Sequence, residues 1–120
     1  MTPKIGQVMV FVDDLASAKQ FYCDLIGIEL EADLAEQANM LILKNDGCYF
    51  TIHGGFRRSP TDSDDCRTTI VIAVDDIEAM KAKLIQNGVE LIGETEQSPI
   101  HRYQFVKDPA ENWIEIAQYD

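Results

Sequence analysis

Glu115 lies between Ile114 and Ile116 in a β-branched stretch, Asn112 to Gln118, that reads as a strand. Alternation sends the two isoleucines to one face and Trp113 with Glu115 to the other. If the isoleucines meet a core, Glu115 lines either a concave surface, the expected arrangement, or open solvent at a sheet edge. A carboxylate at depth needs a cation or hydrogen-bond donor beside it, so an ionised Glu115 would hold an amine or a guanidinium.

The same counting puts Tyr49, Thr51 and His53 on one strand face, Met9 and Phe11 beside Gln7, Val71 and Ala73 beside Thr69, and Tyr103 with Phe105. Together these make a mostly apolar, aromatic surface with a few polar groups. Ligand pockets have that composition, and aromatic walls attract planar or cationic molecules; the same rings would equally pack against one another in a filled core. His53 would serve either as a ligand-contacting group or as a hydrogen-bonded strand end near Gly54-Gly55. His101, one residue ahead of the predicted strand Arg102 to Lys107, is expected at a loop or rim. Cys23, Cys48 and Cys66 form no Cys-x-x-Cys pair and no even framework, so reduced, inert thiols are expected.

The elements that must carry these residues repeat. Ile5 to Val12 alternates as a strand, Asp13-Asp14 offers a helix cap, and Leu15, Ala18, Phe21, Tyr22 and Leu25 recur at helical spacing until Gly27. Extended stretches follow at Ile28 to Leu34, Met40 to Lys44 and Cys48 to His53, with Asn45-Asp46-Gly47 as a tight turn. The pattern restarts with a strand from Thr69 to Val74, a cap at Asp75-Asp76, a helix from Ile77 to Asn87-Gly88, and strands at Glu90 to Glu94, Arg102 to Lys107 and Asn112 to Gln118. A shift of 62 residues superposes Val8, Val10, Val12, Asp13, Asp14 and Leu15 on Ile70, Ile72, Val74, Asp75, Asp76 and Ile77. The fold class is therefore α+β. One domain, 1–120, holds two βαβββ modules, about 4–54 and 68–120, joined by a polar linker over 55–67.

Composition narrows the partners. The 120 residues carry 21 acidic against 10 basic side chains, a net charge of −11, which repels phosphate backbones and anionic lipid. Nucleic acid and membrane are excluded as expected partners, and a cationic ligand is favoured. No apolar run approaches the roughly 20 residues of a membrane span, and the first residues carry no leader-like apolar segment, so a cytoplasmic location is expected.

The two modules, Val12-Asp13-Asp14-Leu15 and Val74-Asp75-Asp76-Ile77 entering the helices, Phe21-Tyr22 ahead of Leu25-Ile26-Gly27, and a closing Asp108-Pro109-Ala110-Glu111-Asn112-Trp113-Ile114-Glu115 resemble the vicinal oxygen chelate superfamily. That group includes glyoxalase I, extradiol dioxygenases and bleomycin-binding resistance proteins. The resemblance implies curved sheets wrapping a cavity, a homodimer, and a metal ligand or ligand contact from the first and last strand of each module. Those positions here are Gln7, Thr51, Thr69 and Glu115.

Threonine hydroxyls are poor ligands for divalent ions, so two of the four positions are broken. The reading favoured is a protein that sequesters a small apolar or cationic compound through Gln7, Met9, Phe11, Tyr49, Thr51, His53, Thr69, Tyr103, Trp113 and Glu115, with no cofactor. The alternative is a metal-dependent lyase of the glyoxalase I type, or a dioxygenase, with Gln7, His53 and Glu115 around one divalent metal and Glu115 as catalytic base.

Overall fold

Residues 7–54 and 70–120 are described by a computed structural model; Thr69, Cys66 and the linker read at 55–67 lie outside the described residues. The chain divides into two units, Met1–Ser59 and Pro60–Asp120.

In the first unit, β1 (Gln7–Phe11) runs parallel to β4 (Tyr49–His53), and β3 (Met40–Leu43) and β2 (Leu30–Leu34) extend the sheet antiparallel in the order β1-β4-β3-β2. The parallel pair needs a crossover, and the helical segment after β1 begins it. Asp14 caps that segment: its carboxylate accepts from the Ala16 and Ser17 amides at 3.0 and 3.3 Å and from the Ser17 hydroxyl at 2.8 Å. These bonds hold the Asp14 carboxyl below its usual range, the Ser17 side-chain bond contributing most.

The helix starts as α1 (Leu15–Lys19) and widens into π-helical turns over Gln20–Leu25. Gly27 then stops it at φ +99°, a conformation open to glycine at little cost. Its buried side, Ala18, Phe21 and Tyr22, covers Val10, Leu41, Leu43, Phe50 and Ile52, and the Tyr22 and Phe50 rings meet edge to face at 5.7 Å. Each large side chain so buried contributes roughly 1.5–3 kcal/mol. The opposite sheet face is left to Gln7, Met9, Phe11, Thr51 and His53.

One element was not expected. A single helical turn, α2 (Ala35–Ala38), intervenes between β2 and β3; Asp33 accepts the Ala35 amide at 3.0 Å, and Asn39 closes the turn at φ +55°. Asp33, Ala35 and Ala38 suit a capped helical turn better than an extended chain.

The second unit repeats the plan. β5 (Ile70–Ala73) pairs in parallel with β8 (Trp113–Tyr119), and β7 (His101–Lys107) and β6 (Leu91–Gln97) follow antiparallel in the order β5-β8-β7-β6. Asp76 caps α3 (Ile77–Gln86) through the Ala79 amide at 3.1 Å, while Gln118 Oε1 accepts the Ile77 amide at 2.9 Å and ties the helix start to β8. Ile77 and Leu84 on α3, and Gln104, Val106, Ile114 and Ile116 on the sheet, are almost wholly buried. A register shift in β6 at Gly93, φ +69°, is held by buried Gln104, whose amide nitrogen donates to the Ile92 and Gly93 carbonyls at 3.0 and 3.2 Å. Asp108 builds the β7–β8 turn by accepting the Ala110 and Asn112 amides at 2.9 and 2.8 Å.

Candidate functional site

Register fixes which side chains share a face. In the first unit Gln7 pairs with Tyr49, Met9 with Thr51 and Phe11 with His53, so all six predicted residues of this module stand on the face away from the helix. Thr51 is completely buried and its hydroxyl donates to Gln7 Oε1 at 2.5 Å. The His53 ring lies 5.5 Å from Phe11, with Nδ1 against the carbonyl of Gly54. Tyr49, at 59% exposure, marks the open end of the row.

In the second unit Glu115 pairs with Phe105 and with Val71, Trp113 with Lys107, and Tyr103 with Ala117. Burial of Ile114 and Ile116 on the other side turns Glu115 and Trp113 onto the same face as Tyr103 and Phe105, as the alternation predicts. The rings form a file: Tyr103 meets Phe105 edge-on at 6.0 Å, and Phe105 meets Trp113 at 5.9 Å. All three are partly open to solvent. Tyr103 donates its hydroxyl to Glu96 at 3.1 Å, and that bond, with the Glu96 charge, burial and the nearby Glu115 charge adding to it, raises the phenol above its ordinary pKa.

His101 differs from its expected place. It opens β7 and belongs to the sheet: counting back two residues from Tyr103 puts it on the Glu115 face. Its Nε2 sits 2.9 Å from Glu115 Oε1, with the His101 and Glu115 side chains only 15% and 13% exposed. Tyr103 and Tyr119 stack on the imidazole at 4.9 and 5.0 Å, and Ser98 Oγ meets its Nδ1. The donor that a deep carboxylate requires is therefore present, and it is a neighbour in the same sheet. Tyr119 was missed because the predicted strand stopped at Gln118.

The sequence profile of the Glyoxalase/Bleomycin resistance protein/Dioxygenase superfamily matches residues 4–116. The chain belongs to this superfamily. The uncharacterized protein YetH of Bacillus subtilis (strain 168) is 30% identical over 99 residues, which cover 81% of this chain and 82% of that one. The crystal structure of TnmS3, an antibiotic binding protein from Streptomyces sp. CB03234, superposes with a TM-score of 0.75 at 25% identity, covering 99% of this chain and 98% of that one. The lactoylglutathione lyase of Agrobacterium tumefaciens shares the fold, with a TM-score of 0.70 at 19% identity over 98% of this chain and 94% of the other.

Superfamily members often bind divalent metals. A catalytic site needs about three protein donors and an open position. Of the positions that the resemblance marks, Thr51 offers a hydroxyl that is spent on Gln7, the Gln7 amide oxygen already accepts that bond, and Glu115 Oε1 is engaged by His101. Among the described residues no group of three or more His, Cys, Asp and Glu side chains is placed to hold a metal ion.

Proposed function

We propose that this superfamily member binds a small apolar or cationic compound and holds it without transforming it. The half-open file Tyr103, Phe105 and Trp113 beside the Glu115 carboxylate carries this reading, because rings and one anchored charge suit a planar or cationic guest. Gln7, Met9, Phe11, Tyr49, Thr51 and His53 of the first module and Thr69 of the second are proposed as further ligand contacts. TnmS3, an antibiotic binding protein of the same fold at 25% identity, supports a binding role. A homodimer completes the proposal, since β1 and β2, and β5 and β6, are each paired on one side only among the described residues.

The test is calorimetric titration of dialysed protein with 1-naphthalenemethanol and 1-naphthylmethylamine, followed by metal analysis and recovery of the probe. Saturable one-site binding, an unaltered probe and substoichiometric metal are expected. A stoichiometric divalent ion that survives dialysis, with turnover of a glutathione hemithioacetal or a catechol lost on its removal, would establish instead the lyase or dioxygenase that uses Gln7, His53 and Glu115.

A further inference from the structure

Ser98 Oγ accepts the amides of Ile100 and His101, each at 3.1 Å, in the turn that joins β6 to β7. Both its lone pairs are then used, so the hydroxyl hydrogen goes to His101 Nδ1. The imidazole is fixed as the tautomer with its hydrogen on Nε2, and that hydrogen is donated to Glu115 Oε1. Stacking by Tyr103 and Tyr119 holds the ring in place. Glu115 therefore offers its surroundings one engaged oxygen and one, Oε2, that no hydrogen bond from the described residues reaches.

We infer that His101 selects the ligand's headgroup, making the site one for an aromatic primary ammonium in preference to a guanidinium. The inference rests on the reading that ligand meets the Glu115 face. A guanidinium draws its advantage from two parallel bonds to both oxygens of a carboxylate, and His101 already holds one of the two lone pairs of Oε1, so the second of those bonds must share an oxygen with the imidazole. An ammonium is a compact charge that a single oxygen serves, and the rings of Tyr103, Phe105 and Trp113 hold its attached aromatic group and its charge together.

Matched probes test this: 1-naphthylmethylamine, 1-naphthylmethylguanidine and neutral 1-naphthalenemethanol, titrated calorimetrically into the full chain and into His101→Phe, which keeps a stacking ring and removes Nε2–H. The wild type is expected to bind the amine about tenfold more tightly than the guanidine, the effect of one charge-assisted bond. In His101→Phe that preference disappears or inverts. A wild-type ratio near one, or favouring the guanidine, overturns the inference whether or not the variant folds, and so does a tenfold preference that persists in folded His101→Phe. If the alcohol binds as tightly as the amine, or no probe binds, the cationic-ligand reading itself falls and the inference with it.

Discussion

Tyr103 shows how one polar contact tunes a side chain on the candidate ligand face. Its hydroxyl gives its hydrogen to Glu96, and the carboxylate resists the approach of a second negative charge, so the phenol loses its proton later than a free tyrosine does. A folded pKa raised above the unfolded value contributes stability that is complete below the unfolded tyrosine pKa and is lost as pH rises through the folded one. Replacing Glu96 by Gln should lower the Tyr103 titration midpoint, followed by NMR of ring-labelled tyrosine, and should make the melting temperature fall less steeply across the alkaline range. An unchanged midpoint would mean that Glu96 is not the group responsible.

Among elements, the end of β4 is fitted to the end of α2. Gly54 donates its amide to the Asn39 carbonyl at 2.9 Å, and a Cβ added at Gly54 would lie 2.4 Å from Asn39 Oδ1. Gly54→Ala should cost roughly 1–3 kcal/mol as an overpacking change. Asn39→Gly removes the colliding amide and accepts φ +55° readily, so in the same chain it should restore much of that loss. Denaturant unfolding of the four-member cycle checks this, and additive effects would remove the collision as the cause. The sequence announced much of the scaffold around this junction, and the reasons are local. Asp14 and Asp76 are helix caps because a carboxylate one residue before an apolar stripe meets the first free amides. β7 and β8 are legible because buried Val106, Ile114 and Ile116 alternate with the ring-bearing face. The α2 turn was hidden by its length, since four residues give no periodicity. His101 was set outside the sheet because the predicted strand began at Arg102, one residue too late, and its bond to Glu115 depends on a register that no single strand's sequence contains.

At the scale of the whole molecule, a net charge of −11 acts on two equilibria with opposite signs. It draws a cationic ligand in from a distance, and it opposes the meeting of two identical chains. Salt shortens the reach of both effects, from about 10 Å at 0.1 M to about 3 Å at 1 M, while leaving short bonds between partly buried groups such as His101 and Glu115 less altered. Raising sodium chloride across that range should therefore weaken binding of 1-naphthylmethylamine several-fold, leave the neutral alcohol unaffected, and strengthen self-association measured by sedimentation. The contrast between the two probes separates the field of the molecule from hydrophobic contact, which salt does not weaken. If amine affinity held constant while self-association rose, the excess charge would serve solubility alone, and Glu115 would be left as the one electrostatic determinant of the ligand.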